Sequence, residues 1–170
     1  MNIVYLIGNG FDLNLGLKTS YSHFYDYYLS LGNPSENVKK LKDSIRKHKK
    51  TNLWKDLEIA LGQITVEYDK VDDFIEALLD ISDNLLYYIK REQESIFIDQ
   101  NGAKKITEYI NWPSEYIPDA AKERIKSFQY NWRASGWNID IITFNYTNII
   151  DNLLNPDYFE QGLKRCGYEV

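Results

Sequence analysis

Apolar residues follow two different rhythms along this chain. Near the start they run continuously, Ile3-Val4-Tyr5-Leu6-Ile7, and near the end they do so again, Ile139-Asp140-Ile141-Ile142-Thr143-Phe144. Short β-branched runs of this kind predict strands buried on both faces, as in a parallel sheet. Between them the spacing changes to three and four. Trp54, Leu57, Leu61 and Ile64 share one helical face, and Phe74, Leu78, Ile81, Leu85 and Tyr88 mark a long packed helix.

Breaks and caps divide the helical stretch. Thr19 or Ser20 is placed to cap a helix through Phe24 and Tyr28, which Gly32-Asn33-Pro34 ends. Asp73 and Glu76 have the spacing of a capping box. Gln100-Asn101-Gly102 reads as a turn, and Trp112-Pro113 and Ile117-Pro118 bracket a loop. Ile125, Phe128 and Trp132 predict another helix ending near Gly136, and Thr147 is placed to cap a short one through Ile150 and Leu154.

Two strands flanking a helical block predict an α/β domain over residues 1–170, with a helical insertion at about 35–136. Two strands are too few for a sheet of this kind. Either a weak third strand lies near Ile96-Phe97-Ile98, or strands come from elsewhere and the chain is the N-terminal part of a longer protein.

Composition narrows the function. The 170 residues carry a formal net charge of −5, which argues against a general nucleic-acid coat. The basic stretch Lys39–Lys50 reads as a solvated helix face. A single cysteine, Cys166, excludes an intrachain disulfide and a cysteine-rich metal site, so no metal is expected. No apolar run has membrane-spanning length, and the first residues lack a signal-peptide pattern, so a cytoplasmic protein is expected. The 14 tyrosines are expected half-buried on helices.

Two motifs carry candidate chemistry. The first is Gly8-Asn9-Gly10-Phe11-Asp12 directly after the first predicted strand, followed by Gly16. Glycines there let a phosphate approach backbone amides, because no Cβ stands in the way. The spacing is not Gly-x-Gly-x-x-Gly, and taken alone it leaves a ligand-free strand-to-helix turn equally open. The second is Thr143-Phe144-Asn145-Tyr146-Thr147 at the end of the second strand. Open α/β sheets bind ligands at the carboxyl ends of their strands. An asparagine there offers a donor and an acceptor without charge, although it also commonly just closes a strand.

Together these motifs carry a resemblance. The stretch Gly8-Asn9-Gly10-Phe11-Asp12-Leu13-Asn14-Leu15-Gly16-Leu17-Lys18-Thr19-Ser20-Tyr21, with Phe24, resembles the opening signature of the AbiH abortive-infection family. Trp54-x-x-Leu57-Glu58 and Thr143-Phe144-Asn145-Tyr146-Thr147 also resemble that family's pattern. More distantly, Gly8, Gly10, Gly16 and Leu17 are similar to the NAD-cradling loop of sirtuin-type domains, and Thr143 and Asn145 to their asparagine segment. Asp12 departs from that pattern, standing where it has serine.

The resemblance implies a Rossmann-like, sirtuin-like parallel sheet and a role in antiphage defence. It implies NAD or a related nucleotide held by Gly8, Asn9, Gly10, Phe11, Asp12, Gly16, Thr19, Thr143 and Tyr146. Asn145 would be the catalytic residue of an NAD glycohydrolase in the full-length form. That reaction passes through an oxocarbenium-like state and calls for a base. Sirtuin-like enzymes place a histidine downstream of the asparagine segment, whereas this chain has only His23 and His48, both upstream. The alternative is a non-catalytic nucleotide-sensing or interaction module, with the helix from Val71 to about Phe97 packing in the chain or on another copy.

Overall fold

A computed structural model describes residues 2–48, 56–96, 98, 100–131 and 138–154. The chain divides into two units, one formed by Met1–Phe11 with Ile96–Val170 and the other by Asp12–Ser95.

The first unit contains both continuous apolar runs. They form β1 (Asn2–Ile7) and β2 (Asn138–Thr143), which pair in parallel with Ile3 opposite Ile139 and Ile7 opposite Thr143. Helix α6 (Gln100–Asn111), a 3-10 turn at Pro113–Glu115, helix α7 (Asp119–Asn131) and the short α8 (Ile149–Leu154) complete it. Tyr5 points inward from β1 and donates its hydroxyl to the carbonyl of Ile110, at 2.7 Å. That bond fixes the half-buried face of the sheet to the end of α6. Ile110 is itself buried, as are Ile149, Ile150 and Leu153 of α8.

The second unit is helical. Its elements are α2 (Tyr21–Ser30), α3 (Glu36–His48), α4 (Leu57–Ile64) and α5 (Val71–Ser95), with a 3-10 turn at Thr65–Glu67. Helix α1 (Gly10–Asn14) links the units in sequence. Caps start these helices where short polar side chains satisfy unpaired amides. Ser20 accepts from the amide of His23, Asp56 from that of Ile59, and Ser35 from that of Val38. The core joins Phe24, Tyr28, Leu41, Ile45, Ala60, Ala77 and Ile81, each at most 1% exposed. Full burial of one such large side chain contributes about 1.5–3 kcal/mol.

Tyrosines of this unit bury their rings and tether their hydroxyls. Tyr28 donates to Asp80 Oδ2 at 2.6 Å, Tyr88 to the carbonyl of Lys18 at 2.8 Å, and Tyr68 to that of Asn37 at 3.0 Å. Burial pushes the Tyr68 and Tyr88 hydroxyls up to about 12, and those of Tyr25 and Tyr28 higher still.

The structure corrects several expectations. The Rossmann-like parallel sheet with a helical insertion does not form. Among the described residues only β1 and β2 pair, and the remainder is mainly helix. Only those two segments have continuous β-branched runs, whereas the other apolar positions recur at helical spacing. Ile96 and Ile98 lie outside any strand, and Phe97 lies outside the described residues.

The strands are not buried on both faces either. Ile3, Tyr5 and Ile7 are half-buried, while Val4 and Leu6 are exposed at 55% and 70%. A continuous apolar run does not reveal whether a layer covers its second face. Gln100-Asn101-Gly102 forms the first turn of α6 rather than a separate turn. Asp73 and Glu76 lie inside α5, where they accept hydrogen bonds from the Asn37 amide of α3. Trp54, Trp132 and Gly136 lie outside the described residues.

The basic stretch is not simply a solvated face. Lys42 is 2% exposed, donates to the carbonyl of Leu31 at 2.8 Å, and sits over the Tyr28 ring. Burial lowers its pKa, an effect that nearby Asp80 opposes. Lys40 bonds the carbonyl of Glu67, Lys39 pairs with Glu36, and Arg46 pairs with Asp43. Among the described residues, no helix is long and apolar enough to cross a membrane.

Candidate nucleotide site at the strand ends

Parallel pairing brings the carboxyl ends of β1 and β2 together. Ile7 and Thr143 are register partners, and the Phe144 amide donates to the Ile7 carbonyl at 2.8 Å, the bond that closes this last pair. The chain then turns away at both ends. After β1 the Phe11 amide bonds back to the Gly8 carbonyl at 2.9 Å, closing a tight turn over Gly8, Asn9 and Gly10. After β2 the Asn145 amide donates to Thr143 Oγ1 at 3.2 Å. The hydroxyl thereby bends the backbone as soon as the strand ends.

Seven of the sequence-predicted residues therefore belong to one unit: Gly8, Asn9, Gly10 and Phe11 after β1, with Thr143, Asn145 and Tyr146 at and after the end of β2. The remaining three, Asp12, Gly16 and Thr19, belong to the helical unit. Asp12 is 1% exposed, and its backbone carbonyl accepts from the amides of Leu15 and Leu17. Thr19 is buried.

The glycines of the motif have different physical roles. Gly16 adopts φ 88°, a conformation that L side chains rarely take, so its own backbone requires glycine. Among the described residues it is the one glycine with positive φ. A Cβ added to Gly8 or Gly10 meets nothing within 4 Å. Neither crowding nor backbone conformation within the chain requires glycine at these two positions. Gly10 opens α1, where glycine costs about 0.5–1 kcal/mol relative to alanine. What glycine leaves at each is open space where a side chain would stand. Helix α1 has only five residues, so the dipole support expected from a longer helix is missing.

Asn145 is half-buried, whereas Phe144 and Tyr146 are exposed at 70% and 56%. Phe144 follows Thr143 just as Gly8 follows Ile7, each one residue past the last register pair. The sequence had placed Phe144 in the second motif without giving it a role. The signal was strand alternation, which puts Phe144 on the opposite face from Thr143.

Both histidines belong to the helical unit. His23 is exposed on α2, with Nδ1 2.8 Å from the Ser20 hydroxyl, and His48 is the last residue of α3. Among the described residues, no three His, Cys, Asp or Glu side chains are grouped to hold a metal ion.

A sequence model of the bacteriophage abortive infection AbiH family matches residues 4–158. That span includes both strands and both motifs. No curated protein and no solved structure matches the chain.

Proposed function

The chain belongs to the AbiH family of bacteriophage abortive infection proteins, and from that premise we propose that it serves phage defence by binding a nucleotide of the NAD class at the carboxyl ends of β1 and β2. One observation carries this reading: the fold has no need of glycine at Gly8 or Gly10, yet both keep open space at the strand ends where ligands bind in α/β proteins. The backbone at Gly8 and Gly10 would meet the pyrophosphate. Thr143 and Asn145 would meet a ribose hydroxyl, and Tyr146 would flank them. Asp12, Gly16 and Thr19 belong to the helical unit, where Gly16 adopts a left-handed backbone.

NAD supplies a glycosidic bond that can be hydrolysed, and hydrolysis of that bond is the reaction such a site would serve. Asn145 would orient the ribose or the attacking water, but as an amide it cannot serve as the base. Both histidines belong to the helical unit, and His23 already shares a hydrogen bond with its N-cap serine. On this reading the chain binds the nucleotide and Asn145 orients it.

The alternative, a non-catalytic sensing or interaction module, draws support from the exposed apolar face of the sheet. Thermal unfolding of the purified chain with NAD, ADP-ribose and ATP separates the readings. Binding raises the melting temperature in proportion to saturation. Gly10→Ala should abolish the rise while leaving the ligand-free protein at least as stable as before. Equal stabilisation of wild type and variant, or none with any nucleotide, would overturn the proposed site.

A further inference from the structure

Helix α5 carries two apolar faces. One packs into the core of the helical unit through Ala77, Ile81 and Tyr88. On another side Ile75, Leu79 and Leu86 follow at intervals of four and seven residues, so they line up as one stripe along the helix. Water reaches all three, at 41%, 57% and 64% exposure. Helix α3 shows what a solvated face looks like in the same unit. Its exposed residues Glu36, Lys39, Lys40, Asp43, Arg46 and Lys47 are all charged, with Lys39 paired to Glu36 and Arg46 to Asp43. The stripe on α5 departs from that pattern in the way that interaction surfaces do.

The rim of the stripe identifies the chemistry of the partner. Asp72, Glu76 and Asp83 flank it along one edge, and all three are exposed. Asp72 and Glu76 lie one turn apart, an arrangement of like charges that weakens a helix. The helix dipole favours acids in the first turn and so accounts for Asp72, but it has faded by Asp83, in the middle of the 25-residue helix. Glu76 already accepts a hydrogen bond from Asn37. Among the described residues, Asp72 and Asp83 enter no ion pair, and Lys90 is the one cation on this edge. We propose that this face of α5 docks an amphipathic helix of basic character, which covers Ile75, Leu79 and Leu86 and sets Lys or Arg against Asp72, Glu76 and Asp83. Burial of the aliphatic side chains supplies affinity, and the carboxylates supply selection, since an acidic helix would meet like charge. A second copy of α5 would bring its own acidic rim to the contact, so the occupant is a different helix. From Asp72 to Leu86 the stripe runs about 21 Å, the length of about four turns of partner helix. The inference goes beyond the nucleotide site and does not depend on it.

Fluorescence anisotropy with the full chain tests this, using two labelled synthetic helices with leucine at helical spacing and either lysine or glutamate elsewhere. The lysine peptide should bind wild type and the glutamate peptide should not. Leu79→Ala with Leu86→Ala should weaken lysine-peptide binding about tenfold or more, as the loss of buried leucine surface allows. Asp83→Lys should weaken it too and make it less sensitive to salt. These side chains are exposed, so the melting temperature of each variant, measured alongside, should match that of wild type. Equal binding of the lysine peptide to wild type and to the leucine double variant would mean that it responds to the net charge of −5 alone, and the proposal fails. The proposal also fails if the glutamate peptide binds as tightly, or if neither peptide binds. Self-association of the wild type that Leu79→Asp abolishes would assign the stripe to a second copy and overturn the basic helix as its occupant.

Discussion

The core of the helical unit and the two-stranded sheet of the other unit handle apolar surface in opposite ways. In the helical unit, Phe24, Tyr28, Leu41 and Ile81 are closed off from water, and the polar ends of Tyr28, Tyr68 and Tyr88 each meet an acceptor. Even Lys42 is drawn inward and satisfied. In the other unit the sheet shields Ile3, Tyr5 and Ile7 only partly and turns Val4, Leu6, Ile142 and Phe144 outward. Apolar residues in the first region hold the fold together. Several in the second are left in water and do no such work.

That contrast can be broken most forcefully at the aromatic core. Phe24→Ala should cost about 3–5 kcal/mol in urea unfolding, because the ring packs on Tyr25, Tyr28 and Tyr88 and leaves a cavity. Leu6→Ala, with its side chain already in water, should shift stability by no more than about 0.5 kcal/mol. A comparable loss at both sites would erase the distinction.

The tethered hydroxyls give the next largest effect. Tyr28→Phe removes a hydrogen bond to a carboxylate, for an expected loss of about 1.5–3 kcal/mol. The same groups set an alkaline limit. Tyr68 and Tyr88 have hydroxyl pKa values raised by burial to about 12 in the folded state, against an ordinary value of 10.0. The folded state then holds its phenolic protons more tightly than the unfolded chain. Their stabilisation is complete below pH 10 and is lost as pH rises from there through 12. Melting temperature should fall over that window, and Tyr68→Phe with Tyr88→Phe should flatten the fall. An unchanged slope would mean that these hydroxyls do not control it.

Smaller effects separate the glycines. Gly16→Ala forces an alanine into φ 88° and should cost about 1–2 kcal/mol. Gly10→Ala should instead leave stability the same or raise it by up to about 1 kcal/mol, while weakening nucleotide binding. Destabilisation by Gly10→Ala equal to that of Gly16→Ala would give both glycines a structural role. Least of all, Lys39→Ala breaks a surface pair at 3.8 Å and should change stability by less than about 0.5 kcal/mol.

How much the sequence revealed depended on whether a feature was local. β1, the long α5 and the Ser20 cap followed from runs, spacing and a single side chain acting on its neighbours. The pairing of the two motifs at one end of a parallel pair was also legible, because both followed strand-like runs. The number of strands was not. A resemblance in loop residues says nothing about how many other segments join a sheet, and helical spacing throughout the middle argued against more. The exposed face of β1 was hidden because Val4 and Leu6 are as apolar as Ile3 and Ile7, and only the neighbouring layers tell them apart. Lys42 carried a readable signal. It falls four residues after Val38 and three before Ile45, on the buried side of α3. Its charge concealed its position, since a long stem reaches a carbonyl acceptor only in the assembled fold.

The register between Ile7 and Thr143 also has a consequence in time. β1 is synthesised before its partner, with all of the Asp12–Ser95 unit made in between. At ~5–20 residues per second on the ribosome, β1 waits on the order of ten seconds for a strand to pair with. The helices, whose contacts are closer in sequence, have that interval to assemble first. Closing the sheet is therefore a late, high-contact-order step, and until it happens the first apolar run of the chain is an unpaired strand open to other chains or to a chaperone.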